Sequence, residues 1–116
     1  MQTRFNLLVV CAKNKKRSRT AEFIFKNDSR FAIRSAGLSK TSNRVISGQD
    51  IEWANLILVM EHAHNKRLKT SYGHLDFPPV HVLKIKDIYE FNDPELIDIL
   101  KDKVKKAISS LVTAQG

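Results

Sequence analysis

The chain has 116 residues, 42% of them hydrophobic, and carries a formal net charge of +8 with a sequence pI near 9.8. This size and composition exclude disordered and fibrous classes and predict one globular domain spanning residues 1–116. Cys11 is the only cysteine, which excludes an intramolecular disulfide and a cysteine-built metal cage and favours a reducing, cytoplasmic location.

The charge and the apolar pattern also limit the partners. A strongly basic chain attracts phosphorylated, acidic or nucleic-acid partners, and charge alone does not choose among them. Nucleic acid is disfavoured, because the sequence lacks a basic stripe interleaved with exposed aromatics. The apolar stretch 5–10 is too short for a membrane span or a signal-peptide core, so a soluble protein with no membrane partner is expected.

The first part of the chain predicts a strand, a helix and a second strand. The run 5–10 is almost continuously apolar, as in a parallel strand buried on both faces. A helix is predicted over 18–27, where apolar residues recur on one helical face. The more mixed run 31–36 predicts a strand nearer an edge of the sheet.

The middle of the chain continues the alternation. Ser47 is predicted to cap a short helix that ends near Trp53 and has an acidic residue at its third position. The apolar run 55–60 predicts a second buried strand, followed by a helix over 61–70. The mixed run 80–85 predicts another strand near an edge.

The last predicted element is a long terminal helix. Asp93-Pro94-Glu95 is typical of a helix start, with a capping carboxylate, proline at the first position and an acid in the first turn. Strands that alternate with helices predict right-handed crossovers and an α/β fold, with three α/β/α layers around a four-stranded, mainly parallel sheet. Ligands of such sheets bind beyond the carboxyl ends of the strands, which singles out the segment after Val10.

That segment predicts a phosphate-binding loop between the first strand and the first helix. Cys11 ends the strand, and Arg17 stands six positions later at the mouth of the helix. Such a loop turns amide N–H groups inward around a phosphate dianion, and the same field stabilises a thiolate. Cys11 is therefore the candidate nucleophile, and Arg17 is the candidate bidentate clamp on the phosphate. The loop residues expected to surround the substrate are Ala12, Lys13, Asn14, Lys15 and Lys16.

A plainer interpretation of the same residues stays open. Cys11 would then be a small buried side chain that ends a strand, and the lysines would form a solvated surface loop. The order of strand, loop, arginine and helix favours the functional interpretation, because structural context is what supports a short motif.

Three stretches match the motifs of one protein family. They are Val9-Val10-Cys11 with Asn14 and Arg17-Ser18-x-Thr20-Ala21-Glu22, then Arg34-Ser35-Ala36-Gly37-x-Ser39, then 54–61 with His64. The chain resembles the low-molecular-weight protein tyrosine phosphatases, in a short bacterial-type form. The resemblance touches nearly the whole chain, and its specificity lies in the cysteine loop.

The resemblance implies an enzyme that hydrolyses a phosphomonoester, in a phosphorylated protein or a small ester, through a phosphocysteine and without metal or cofactor. It implies that Asn14 fixes the shape of the loop and that Ser18 donates its hydroxyl to the Cys11 thiolate. Tyr89 would form one wall of the substrate cleft, or would simply be a half-buried loop aromatic.

The family also needs a general acid on a loop after the last strand. Alignment from the strand 80–85 outward gives that role to Asp87. Asp93 is the alternative, although a helix cap is committed to backbone N–H groups.

Several positions depart from the family pattern. Lys16 stands where a second cysteine is common, and Lys13 stands where a small residue is usual. Arg19 and Ile88 replace prolines, and the region 39–46 is short where the family has a longer substrate-selecting loop. Substrate choice is therefore the property that the resemblance transfers least.

Two other functions remain open. Arsenate reduction on the same fold would need an external thiol, since no further cysteine is present. A non-catalytic module that binds an oxyanion or a phosphoprotein would explain the missing prolines.

A metal site is not expected, and the four histidines are predicted at solvated helix and loop positions: His62, His64, His74 and His81.

Overall fold

The computed structural model describes residues 5–115, and the side chains of residues 5–110. Strands and helices alternate throughout this range. In chain order they are β1 (Phe5–Cys11), α1 (Arg17–Phe25), β2 (Phe31–Gly37), α2 (Gly48–Trp53), β3 (Leu56–Val59), α3 (His62–Tyr72), β4 (Val80–Val82) and α4 (Pro94–Gln115). None of these helices combines the length and the apolar character needed to traverse a bilayer.

The strands form one parallel sheet in the order β2-β1-β3-β4. The α/β class is confirmed, and the two mixed runs do form the edge strands while the two apolar runs form the centre. In the register of the sheet, Cys11 pairs with Gly37 of β2, and Val10 pairs with Val59 of β3. The carboxyl ends of these strands therefore meet at one edge of the sheet.

Alternate residues of the central strands bury against opposite helix layers. Leu7, Val9 and Cys11 join one cluster, which includes the buried face of α4, whereas Leu8 and Val10 join a second cluster that includes residues of α2 and α3. Complete burial of one such aliphatic side chain stabilises the fold by about 1.5–3 kcal/mol. The strand that ends on Cys11 is thus fixed from both faces.

The predicted helix starts are confirmed. Ser47 and Asp50 form a capping box at the start of α2. Asp93 Oδ1 accepts a hydrogen bond from Glu95 N at 2.9 Å, as expected of the cap of α4.

The predicted strand 80–85 is shorter than its pattern suggests. β4 ends at Val82, and Lys84 adopts a φ of 60°, in the left-handed region. Backbone hydrogen bonds to the end of β3 and the residue after it nevertheless continue, since Leu83 N donates to Val59 O and Ile85 N donates to Met60 O. Leu83 and Ile85 therefore stay buried although the strand has become irregular.

Candidate active site

The Cys11 thiol lies at the end of the central strand β1 and is only 4% exposed. Asn14 N–H donates to Sγ at 3.3 Å, and Ser18 Oγ lies 2.9 Å from the same sulfur. Ser18 Oγ also accepts a hydrogen bond from Asn14 Nδ2 at 2.8 Å. That bond leaves the Ser18 hydrogen free to point at the sulfur. Two hydrogen-bond donors therefore converge on Sγ.

Asn14 sets the shape of the loop between Cys11 and Arg17. Its φ is 54°, a left-handed conformation that asparagine tolerates better than most residues, and its side chain is buried. The amide of Asn14 thus supports Ser18 from inside the loop while its backbone N–H reaches the sulfur.

A segment after β2, residues 38–43, holds the outer side of this loop. Its donors take four consecutive carbonyls of the loop: Leu38 N to Cys11 O at 3.1 Å, Ser39 N to Ala12 O at 2.8 Å, Asn43 N to Lys13 O at 3.2 Å and Asn43 Nδ2 to Asn14 O at 2.9 Å. The C=O and N–H of a trans peptide point in opposite directions. The N–H groups paired with these carbonyls therefore turn away from the 38–43 segment, as an anion-binding loop requires.

Gly37 makes this close approach possible. A Cβ at this position would lie 2.1 Å from Ser42 Oγ and 2.8 Å from Asn14 N. A side chain would therefore push the 38–43 segment away from the loop.

Arg17 is 3% exposed, and two acceptors hold its guanidinium. Nη1 donates to Glu61 Oε2 at 2.6 Å and to Ile85 O at 2.7 Å. No hydrogen bond joins Nη2 or Nε to any residue that the structure describes, and Nε lies 3.7 Å from Asp87 Oδ1. The edge formed by Nε and Nη2 is the one that binds two oxygens of a tetrahedral anion side by side.

Glu61 is the counter-charge of this arginine. The hydrogen bond from Arg17 holds the pKa of Glu61 below its ordinary value. The carboxylate is therefore ionised at neutral pH and pairs with a buried guanidinium.

His64 is buried, so its predicted solvated position is wrong. Glu61 N donates to His64 Nδ1 at 3.2 Å at the start of α3. Burial, and then the charge of Arg17, lower the pKa of His64. The ring is therefore neutral at neutral pH and acts as a hydrogen-bond acceptor.

The other histidines, His62, His74 and His81, are exposed as expected. The described residues contain no group of three or more His, Cys, Asp or Glu side chains placed to hold a metal ion.

A cavity of about 390 Å³ opens over the sulfur. It is lined by Cys11, Ala12, Lys13, Lys15, Lys16, Arg17 and Asp87. The structure thus brings the candidate nucleophile, the clamp and one candidate acid around a single space, with Asn14 and Ser18 supporting the sulfur from behind.

The two candidate acids differ in position. The Asp87 side chain is 63% exposed and lines the cavity. Asp93 caps α4 and is not among the lining residues.

Tyr89 packs half-buried against the first core cluster, and the described lining of the cavity does not include it. Its neighbour Ile88 is 69% exposed. The cleft-wall role of Tyr89 stays a prediction.

Sequence reasoning missed two residues that hold the site together, Glu61 and Asn43. A signal for Glu61 was present, because it follows a strand whose carboxyl end lies beside that of β1. Asn43 stands in the short region after β2, and nothing in the local sequence indicates that it reaches the loop.

Solved structures of known proteins match this chain over nearly its whole length. A low-molecular-weight protein tyrosine phosphatase from Streptococcus pyogenes, SP-PTP, matches with a TM-score of 0.76 and 19% identity, covering 92% of this chain and 93% of that one. The chain has the fold of that phosphatase. No protein-family model and no curated protein sequence matches it.

Two further structures share this fold. YfkJ from Bacillus subtilis has a TM-score of 0.73 and 17% identity, and the match covers 99% of each chain. The YwlE arginine phosphatase from Geobacillus stearothermophilus has a TM-score of 0.66 and 19% identity, and the match covers 97% of each chain. Structural neighbours thus include both tyrosine and arginine phosphatases.

Proposed function

We propose that this chain is a cysteine-dependent phosphomonoester hydrolase of the protein tyrosine phosphatase type. The observation that carries the proposal is the convergence of two donors, Asn14 N–H and Ser18 Oγ, on the Cys11 sulfur. A structural cysteine at the end of a strand needs no such donors, whereas a nucleophilic thiolate does.

The reaction proceeds in two displacements on phosphorus. In the first, the Cys11 thiolate forms a P–S bond while the P–O bond to the leaving group breaks, and Asp87 gives its proton to the departing oxygen. In the second, Asp87 takes a proton from water, the water oxygen bonds to phosphorus, and the P–S bond breaks to release phosphate and the thiolate. Loop amides and the Nε/Nη2 edge of Arg17 bind the equatorial oxygens in both steps.

Asp87 is preferred over Asp93 as the acid. Asp87 lines the cavity, whereas Asp93 is already engaged by Glu95 N. A general acid must reach the leaving oxygen, and a cap that accepts a backbone hydrogen bond is poorly placed to donate one.

The proposed substrate is a phosphorylated protein, with phosphotyrosine as the leading candidate, or a small aryl phosphate. SP-PTP is a tyrosine phosphatase on this fold, which supports the choice. The proposal includes a reducing, cytoplasmic setting, because the thiolate must stay unoxidised to act.

The test is hydrolysis of p-nitrophenyl phosphate in the presence of a metal chelator by the wild type and by Cys11→Ser. We expect turnover by the wild type and none by the variant, with vanadate still bound by the variant because Arg17 and the loop amides remain. Vanadate binding without turnover by the wild type would indicate a binding module. Equal turnover by both proteins would exclude Cys11 as the nucleophile.

A further inference from the structure

The cavity lining includes two lysines that no acidic side chain among the described residues pairs with. Among the four cationic residues that line it, Arg17 is paired with Glu61, and Lys16 Nζ lies 3.0 Å from Glu90 Oε2. Lys13 and Lys15 form no ion pair with any residue whose side chain the structure describes. Two uncompensated ammonium groups therefore remain at the mouth of the site.

The loop backbone fixes where these two lysines stand. Asn14 lies between them and points into the protein, whereas the lysine side chains are exposed. Asn43 binds the carbonyl of Lys13 through its backbone N–H and the carbonyl of Asn14 through its side chain. The backbone is thus anchored at and between the two positions from which the lysine side chains extend.

The proposed reaction does not use either ammonium group. Loop amides and Arg17 already surround the transferred phosphoryl group, and Asp87 is the only carboxylate among the described residues that line the cavity. Two like charges at one concave site repel each other, and a bound anion relieves that repulsion. A positively charged substrate group at the same place would meet both lysines unfavourably.

Resting on the proposed phosphatase function, we infer that the preferred substrate carries a second anionic group beside the scissile phosphate, bound by Lys13 and Lys15. The group is a carboxylate or a further phosphate. It belongs either to an acidic residue next to a phosphotyrosine or to a small aryl phosphate.

Matched substrate pairs distinguish these two sources. One pair is a phosphotyrosine peptide with Glu on both sides of the phosphotyrosine and the same peptide with Gln. The other pair is meta-carboxyphenyl phosphate and meta-carbamoylphenyl phosphate. The measured quantity is the ratio of kcat/KM within each pair, so that a general loss of activity in a variant cancels.

We expect the wild type to favour the acidic member of at least one pair by about tenfold at low salt, or about threefold for each lysine, as for exposed ion pairs. Raising the salt concentration reduces the ratio, since exposed charges are screened. The double variant Lys13→Gln/Lys15→Gln brings the ratio close to one. The control variant Lys66→Gln removes an exposed lysine on α3 and keeps the wild-type ratio.

The same ratio is read as a Kd by fluorescence anisotropy of labelled peptides, and by competition for the small esters, on a Cys11→Ser background. This readout holds even where no turnover of p-nitrophenyl phosphate is found, so failure of the hydrolase proposal is told apart from failure of this one. Equal kcat/KM and equal Kd for the two members of both pairs overturn the inference. A preference that survives in the double variant also overturns it.

Discussion

Asp87 lines the cavity, whereas Asp93 accepts a hydrogen bond from the backbone of α4. This difference predicts separate kinetic effects of replacing the two carboxylates. Asp87→Asn removes the proposed proton donor, so hydrolysis of phenyl phosphate, with its poor leaving group, should fall by about 100-fold or more. The activated p-nitrophenyl ester should suffer less, because its leaving group departs without protonation. Asp93→Asn should change neither rate, since asparagine caps a helix as well as aspartate does.

The measurement is the dependence of kcat on leaving-group pKa for a series of aryl phosphates. Steeper dependence in Asp93→Asn together with unchanged dependence in Asp87→Asn would assign the acid to Asp93 instead.

Glu61 is a positioning residue, since it acts through Arg17. Glu61→Gln keeps an oxygen near Nη1 but removes the negative charge beside a buried guanidinium, so the clamp loses orientation. We expect kcat on p-nitrophenyl phosphate to fall by about tenfold, and Arg17→Lys to lose still more because lysine lacks the planar fork. Affinity for vanadate should weaken in parallel.

Glu52→Gln serves as the control, because it makes the same change at an exposed position on α2. Wild-type kcat and vanadate affinity in Glu61→Gln would mean that Ile85 O alone orients the arginine.

These residues mark how far the sequence could predict the site. Cys11 and Arg17 are recognisable because their proposed roles depend on a local loop between a strand and a helix. Glu61 contacts Arg17 across 44 positions of the chain, and its role depends on which way the chain turns after β3. The predicted solvated position of His64 is wrong for a related reason. A polar residue at the start of a helix is usually solvated, whereas His64 accepts a backbone hydrogen bond inside the protein.

At the scale of elements, the 38–43 segment and the cysteine loop behave as one unit. Gly37→Ala would place a methyl group against Ser42 Oγ and, at 2.8 Å, against the backbone nitrogen of Asn14. Backbone atoms cannot move aside as a flexible side chain does, so we expect a loss of about 1–3 kcal/mol in the free energy of unfolding, measured in urea. Vanadate binding should weaken as well, because the loop amides shift.

Gly48→Ala is the matched control. The added methyl group would meet Leu75 Cδ1 at 3.3 Å, and that side chain is able to rotate away. Similar destabilisation by both substitutions would show that the 38–43 segment tolerates displacement, contrary to the close approach at Gly37.

Elements were predicted best where a periodic pattern decides the structure and worst where one backbone angle does. The apolar and mixed runs located the four strands of the described residues, and the capping residues located the starts of α2 and α4. The early end of β4 was not predictable, because Lys84 adopts a positive φ in a stretch whose alternation indicates a continuing strand. No glycine or asparagine is present there to signal the change.

For the whole molecule, the apolar content of a strand predicted its place in the sheet. Strands covered by helices on both faces need apolar residues throughout, so the two continuous runs form the centre and the two mixed runs form the edges. The site lies at the carboxyl end of β1. The helix after β1 and the helix after the neighbouring strand β3 pack on opposite faces of the sheet there. Stability of the sheet and geometry of the site are therefore linked through the same central strand.

The burial of His64 predicts how the free energy of unfolding responds to acid. Burial holds the pKa of His64 below the ordinary value of 6.5, and Arg17, Glu61, Arg67 and Asp87 also act on it. Below that value the unfolded chain binds a proton that the folded state resists. The contribution of neutral His64 to stability is therefore fully present above about pH 6.5 and falls as pH decreases. Protonation also turns Nδ1 from an acceptor into a donor that faces Glu61 N–H.

A second loss follows at lower pH, since the lowered pKa of Glu61 contributes stability that disappears below the ordinary value of 4.5. Thermal unfolding between about pH 7 and about pH 5 isolates the first loss, when the wild type is compared with His64→Gln. Glutamine at this helix position still accepts the Glu61 N–H bond but does not titrate, so Tm of the variant should change less with pH. Parallel decreases in Tm for the two proteins would mean that His64 does not set the acid sensitivity and that other titratable groups do.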